Sequence, residues 1–296
     1  MSKPVTVIIG ANGQDGRILT EVLKKKRHDL ILLGREGFDI LKRSEVESLI
    51  LQKPDFVYYL AAYHHPKDAS LPDPYTLIKN SNEVNFIGYL NFLEAIRKIS
   101  PSTKIFYASS CHIYDGCSEK LNELSPVNPK TPYAISKYAA QEMARYYREQ
   151  HGTFASVGIL FNHESKFRKA FLSHKIISTA KLIKKELSTV LEVGDLNAIV
   201  DWGSAYDYVE AMVTIMNLDT SDTFVIATGE GNSVKDFINI AFNKLDIDFS
   251  KHVQENLDIL ATPHQVRIGD PSKLFIKCGW KPKIGFKQLV ESLIDE

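Results

Sequence analysis

Tyr133 and Lys137 stand four residues apart in the run Pro132-Tyr133-Ala134-Ile135-Ser136-Lys137. On a helix that spacing puts both side chains on one face, where a phenol and an ammonium can meet. A free phenol has a pKa of about 10, and a neighbouring ammonium favours the phenolate, so the pair can supply a general base close to neutral pH. The chemistry such a base suits is hydride transfer. Many solvated helices carry the same spacing, so the weight falls on the elements that must position it.

The first of these is at the N-terminus. Val5-Thr6-Val7-Ile8-Ile9 is a β-branched apolar run that stops at Gly10-Ala11-Asn12-Gly13-Gln14-Asp15-Gly16, after which Ile18, Leu19, Val22 and Leu23 recur at helical spacing. This is strand, glycine turn, helix. Gly10 allows the tight turn, Gly13 lets a pyrophosphate approach the backbone, Gly16 permits close packing, and the helix N-terminus favours an anion. Further buried strands are expected at 30–33, 56–60, 104–108 and 156–161, separated by helices such as 84–99 and 133–151. The alternation predicts an α/β fold, a doubly wound parallel sheet of the Rossmann kind. Beyond Phe161 the pattern loosens, with helices expected at 173–185, 204–216 and 286–294 and a strand at 224–227. The predicted division is a dinucleotide-binding domain over 1–161 to which 204–228 returns, and a smaller C-terminal substrate-binding lobe from 162–203 and 229–296.

Composition fits an enzyme with one large core: 296 residues, 44% hydrophobic. Lysine plus arginine equals aspartate plus glutamate at 36 each, so no global basic field exists to attract nucleic acid or anionic lipid. Met1-Ser2-Lys3-Pro4 runs straight into the first strand, and no apolar run approaches the roughly 20 residues a membrane span needs. A cytoplasmic location is expected. Cys111, Cys117 and Cys278 have no metal-ligand spacing, and their odd count argues against a disulfide framework, so no metal site is expected.

The chain resembles the extended short-chain dehydrogenase/reductase superfamily, and within it the GDP-mannose 4,6-dehydratases. Gly10 to Gly16, with Gln14-Asp15 inside, is similar to that family's glycine loop. Leu60-Ala61-Ala62 is similar to the strand end along the cofactor, and Asp39-Ile40 to the pair beside the adenine. More specific are Gly158-Ile159-Leu160-Phe161-Asn162-His163-Glu164-Ser165, Asp201-Trp202-Gly203, Asp207-Tyr208-Val209-Glu210-Ala211-Met212, Phe224 to Glu230, Gly269-Asp270-Pro271 and Gly279-Trp280-Lys281-Pro282. The resemblance implies oxidation of a sugar C4 hydroxyl by hydride transfer to a nicotinamide. Tyr133 would be the base, Lys137 would hold the ribose and lower the tyrosine pKa, and Ser110 would hydrogen-bond the same oxygen. It also implies His163 at the cofactor and Asn162 at a nucleotide-diphosphate sugar, a GDP-sugar in the first place.

Where the family needs a carboxylate to remove the C5 proton, two positions after the hydroxyl residue, this chain has His112 in Ala108-Ser109-Ser110-Cys111-His112-Ile113-Tyr114. Three readings stay open. A neutral imidazole, with an unperturbed pKa near 6.5, can act as that base. Alternatively the enzyme only oxidises, reduces or epimerises at C4. In the third, which is compatible with the second, His112 merely packs near the site. Two basic residues of the family are also replaced, by Val200 before Asp201-Trp202-Gly203 and by Thr262 before Pro263-His264-Gln265-Val266. Lys175 and Arg267 are the available substitutes for phosphate contact, each of which can also be a solvated surface charge.

After the second strand comes Leu33-Gly34-Arg35-Glu36, in a loop where the chain is shorter than its relatives. Arg35 favours NADP by pairing with a 2′-phosphate, while Glu36 leaves NAD open. The competing class of function is a non-catalytic cofactor-binding subunit, against which the full set of Ser110, Tyr133 and Lys137 argues. By analogy with the superfamily, helices 84–99 and 133–151 would pair in a homodimer or homotetramer, with Leu90, Phe92, Leu93 and Ile96 as apolar candidates.

Overall fold

The computed structural model describes residues 3–64, 72–114, 120–169, 171–259 and 266–295. Cys117, Thr262, Pro263, His264 and Gln265 lie outside the described residues. Six parallel strands form the central sheet: β1 (Val5–Ile9), β2 (Asp29–Leu33), β3 (Phe56–Tyr59), β4 (Lys104–Ser110), β5 (Ala155–Leu160) and β10 (Thr223–Ile226). Their order is β10-β5-β4-β3-β1-β2. The strand order reverses between β1 and β3, and a ligand crevice opens beyond the carboxyl ends of strands at such a point.

The period of two along each strand sorts its side chains into two cores. Ile8, Tyr58, Phe106 and Ile159 face a layer made by α1 (Gln14–Lys25) and α7 (Ala205–Met216). Val7, Ile9, Val57, Tyr59, Ile105, Tyr107 and Val157 face the other layer, from α2 (Arg43–Ile50), α4 (Gly88–Ile99) and α5 (Pro132–His151). A sheet covered on both faces explains why these strands read as continuous apolar runs. It also claims Phe92, Leu93 and Ile96 of α4, which are fully buried against the sheet, with Leu90 packed beside them. Phe92, Leu93 and Ile96 are therefore unavailable to a subunit interface.

Helix α4 begins as a longer element than its periodicity predicts. Asp73 caps α3 (Pro74–Asn82), which passes through a π-helical turn, Glu83–Ile87, into α4. Such turns displace one residue of an otherwise regular helix and are frequent at functional sites. Here the displaced turn carries Asn85.

A third core lies beyond Phe161. It gathers α6 (Leu172–Lys184), β7 (Leu191–Val193), β8 (Ile199–Val200) and β9 (Trp202–Ser204), the last paired with β6 (Asn162–Glu164). To these it adds α8 (Val234–Lys244) and α11 (Phe286–Asp295) around stacked Trp202 and Phe286. Helix α8 was not among the expected elements, although Ser233 and Asp236 form a reciprocal capping box at its start. The short strands β11 (Asn232–Ser233) and β12 (Val253–Glu255) pair with β8 and β7. The short helices α9 (Phe249–His252) and α10 (Ser272–Cys278) complete the described chain. No helix among the described residues is long and apolar enough to cross a membrane.

Candidate active site

The glycine loop joins β1 to α1 where β1 meets β3. Gly10 and Ala11 donate to Leu33 O at 2.8 and 3.1 Å, and Gly13 N donates back to Gly10 O at 3.0 Å. Gly10 has φ +89°, and a Cβ there would come within 2.8 Å of Ala61 N. At Gly16 a Cβ would overlap Gly10 O and Ala11 Cα, both backbone. Helix α1 starts at Gly13 with no side-chain cap. Its first-turn N–H groups and dipole are thus left to an anion, and the cradle fits a dinucleotide pyrophosphate.

Around that cradle the other residues named from the sequence take their places. The Asn12 side-chain amide covers Gly34 just after β2, and the Asn12 backbone carbonyl accepts from Arg17 Nε at 3.0 Å. Arg35 and Glu36 are exposed just beyond. Asp39 accepts from Leu41 N, while Ile40 packs on Gly88 and its carbonyl accepts from Asn91 Nδ2 at 2.9 Å. Leu60 N donates to Ile9 O at 2.9 Å, which sets Leu60, Ala61 and Ala62 along the crevice.

Thr131 caps α5, accepting from Ala134 N at 3.2 Å, and Pro132 occupies the first turn, where its missing N–H costs nothing. That start fixes Tyr133 and Lys137 over the end of β4. The Lys137 ammonium is buried, donates to Ala108 O at 2.7 Å and lies 4.8 Å from the Tyr107 ring centroid. Burial pushes it down to about 7. Tyr133 hydrogen-bonds Ser110, yet burial outweighs that bond and pushes the phenol up to about 12. The spacing predicts the opposite direction, an ammonium lowering the phenol. The reason for the difference is placement: Lys137 Nζ is 5.8 Å from the Tyr133 ring centroid and directs its proton at Ala108. Cys111, next to Ser110, is a buried thiol that burial pushes up to about 11.

Asp15 and His163 meet each other. His163 Nδ1 lies 2.7 Å from Phe161 O, which can only accept, so this nitrogen carries a proton. Its Nε2 lies 3.0 and 3.1 Å from the two Asp15 carboxylate oxygens, and an imidazolium satisfies both contacts. Burial alone would lower the His163 pKa, but the Asp15 charge and hydrogen bond outweigh it and raise it. Asp15 is lowered in turn, the His163 charge overriding its own burial. Gln14 extends the link, donating to His163 O at 3.1 Å and accepting from Ser165 Oγ at 2.9 Å.

Arg168 was not singled out from the sequence. It donates to His163 O at 2.6 Å, pairs with Glu164 at 3.1 Å and lies 4.0 Å above the Phe171 ring. The basic run Lys166-Phe167-Arg168-Lys169 directly after the Asn-His-Glu-Ser word was the available signal. Asn85, also missed, holds both sides of Tyr63: its Oδ1 accepts from Tyr63 N at 2.8 Å and its Nδ2 reaches Tyr63 O at 3.4 Å. The same amide donates to Ser136 Oγ on α5 at 3.0 Å.

At the end of β4, His112 is exposed, and its ring stands edge-on to Tyr133 with centroids 6.2 Å apart. Asn162 is half-buried in β6, opposite Trp202. Lys175 is exposed in the first turn of α6. Arg267 is half-buried, donates from Nε to Tyr114 O at 3.1 Å and bridges Val200 in parallel register. The backbone of Arg267 is therefore paired with that of Val200, the position at which the sequence resemblance implies a basic residue.

Residues 36–293 match the family GDP-mannose 4,6 dehydratase. The chain belongs to that family, and with it to the extended short-chain dehydrogenase/reductase superfamily. It is 33% identical to GDP-mannose 4,6 dehydratase 1 of Arabidopsis thaliana, the alignment covering 99% of this chain and 90% of that one. With GDP-mannose 4,6-dehydratase of Vibrio cholerae it shares 31% over 99% and 93%. Among solved structures, RMD from Pseudomonas aeruginosa complexed with NADPH superposes with a TM-score of 0.87 at 22% identity, covering 99% and 98% of the two chains. The UDP-glucose 4-epimerase of Thermus thermophilus in complex with NAD gives 0.81 at 22%, over 98% of each. Both show the same doubly wound fold.

Proposed function

We propose that this chain is a nucleotide-diphosphate-sugar 4,6-dehydratase of the GDP-mannose type, with NADP as its cofactor. The observation that carries the reading is the Tyr133–Ser110 hydrogen bond over the buried Lys137, set beside a glycine cradle in a chain of this family. Tyr133 takes the proton of the sugar C4 hydroxyl as hydride leaves that carbon, and Ser110 holds the same oxygen. Bound oxidised nicotinamide would supply the hydride acceptor and a positive charge near the phenol, which burial alone leaves too basic. Lys137 would hold the ribose, Gly10, Gly13 and Gly16 the pyrophosphate, and Arg35 the 2′-phosphate. Residues 162–203 and 229–296 form the substrate lobe in this reading, with Asn162, Lys175 and Arg267 at the sugar nucleotide. Arg267 beside Val200 takes over the missing phosphate contact.

A second reading, C4 oxidation, reduction or epimerisation without loss of water, is favoured by one observation: His112 stands where the family needs a carboxylate. Incubation with a panel of GDP-, UDP-, CDP- and dTDP-hexoses, read by mass, separates the two. Loss of water supports the dehydratase; an isomer of unchanged mass or a two-hydrogen change supports the second reading. Titration of NADP and NAD tests Arg35, and a clear preference for NAD removes that assignment. We also place the chain in the cytoplasm as a homodimer or homotetramer. Ile135 and Tyr146 on α5 are both about half exposed and about three turns apart on one face, which suits a subunit contact. A monomer alone at micromolar concentration would refute the assembly.

A further inference from the structure

Among the described residues the Tyr133 ring has two imidazole neighbours, and only one of them, His112, sits at a position where the family places a catalytic group. The other is His64, in the loop after β3, whose ring stands edge-on to Tyr133 at 87° with centroids 4.8 Å apart. Its position is fixed from both sides. Asn85 grips the backbone of the preceding residue, Tyr63, at N and O. Phe171, 5.6 Å away and itself covered by Arg168, backs the ring from the substrate lobe. His64 is nonetheless exposed as a residue, so the ring is held at the mouth of the crevice rather than buried beneath it. Two imidazoles thus reach the catalytic phenol from two strand ends, β3 and β4.

Eliminating water from a 4-keto hexose needs a base at C5 and an acid at the C6 oxygen. Imidazole suits both roles near neutral pH, one neutral and one protonated. We propose that His64 is a second catalytic residue of the sugar site, the acid to His112's base, so that an imidazole pair does the work of the missing carboxylate. This rests on the dehydratase reading. His112 takes the C5 proton reversibly, and the C5–H electron pair moves into an enolate conjugated with the C4 carbonyl. The enolate then collapses, its electron pair forming the C5–C6 double bond as the C6–O bond breaks, while protonated His64 gives its proton to the departing oxygen and water leaves. The step needs no oxidant or reductant. Both rings then regain their starting states by exchange with solvent.

The test uses full-length protein with NADP and the nucleotide hexose that wild type dehydrates, following reduced nicotinamide by absorbance, water loss by mass and C5 exchange in deuterated water. His64→Asn and His64→Gln should form reduced nicotinamide and exchange the C5 proton at near wild-type rates, while releasing water about 100-fold more slowly. His112→Asn should lose C5 exchange as well. Cofactor affinity by calorimetry should be unchanged in all three. As a readout independent of turnover, diethylpyrocarbonate should modify His64 and His112 in the NADP complex, and the nucleotide hexose should protect both. Water release at the wild-type rate in both His64 variants overturns the inference. So does loss of the hydride step together with water release, which would make His64 a support for Tyr133. Wild type that loses water from none of the panel hexoses instead overturns the dehydratase reading, and the role of His64 with it.

Discussion

Tyr133 and Lys137 are coupled in this fold through the carbonyl end of β4 more than through each other. Ser110 bonds the phenol and Ala108 O holds the ammonium, so both groups take their position from one strand end. Removing the phenol oxygen removes the base while leaving the glycine cradle intact. Tyr133→Phe should therefore lower turnover by about 100-fold or more and leave the NADP dissociation constant near wild type; a variant that still turns over would sink the assignment. Lys137 allows a prediction about stability. Its folded pKa, about 7, lies below the ordinary value of 10.5, so between those values the unfolded chain binds the extra proton. Stability then rises with pH across that window as the cost of burying a charge is relieved. Relative to Lys137→Met, wild type should gain stability from about pH 7 to about pH 9.5, below the range where Tyr133 titrates. Urea melts of both proteins at several pH values measure the difference, and a constant gap would mean that the buried amine keeps its ordinary pKa.

At the scale of elements, the glycine loop was legible because everything it needs is local: an apolar strand, three glycines and a helix within two dozen residues. The structure adds why Gly16 must be glycine, since a Cβ there would overlap backbone atoms of Gly10 and Ala11, which cannot swing aside. Gly16→Ala should push α1 off the loop and weaken NADP binding at least about tenfold, with a lower melting temperature as the companion sign. Unchanged affinity by calorimetry would show that the loop is looser than drawn. What stayed hidden is what distant segments decide. No local pattern announces that helix α3–α4 slips into a π turn at Glu83–Ile87, whose Asn85 bonds Tyr63 and Ser136, 22 and 51 residues away. The apolar periodicity of α4 pointed equally to core and to interface, and only the sheet's second face decided for core. The proximity of Arg267 to Val200, likewise, exists only after residues 67 positions apart are brought into register.

At the scale of the whole molecule, the described contacts between the glycine loop and the segment after Phe161 are polar and centre on one ion pair. Asp15 belongs to the first turn of α1 and His163 to β6, with Gln14, Ser165, Arg168 and Glu164 bonded around them. The sequence suggested that Asp15 and His163 serve the cofactor; the structure gives them to each other, so any cofactor seated on α1 is coupled mechanically to the lobe that would hold the sugar. The pair also sets a pH window. His163 has a raised folded pKa, so its contribution is complete below the ordinary value near 6.5 and is lost as pH rises through the raised one. Asp15 has a lowered folded pKa, so its contribution is complete above its ordinary value of 3.8 and is lost only as pH falls through the lowered one. Both conditions hold together between about pH 4 and 6.5. The stability gap between wild type and His163→Gln should therefore be widest near about pH 5.5 and shrink toward about pH 9, the reverse of the trend expected for Lys137→Met. Urea melts at those two pH values decide it: a gap independent of pH would mean that His163 is neutral in the folded chain and that the two halves are joined by packing rather than by charge.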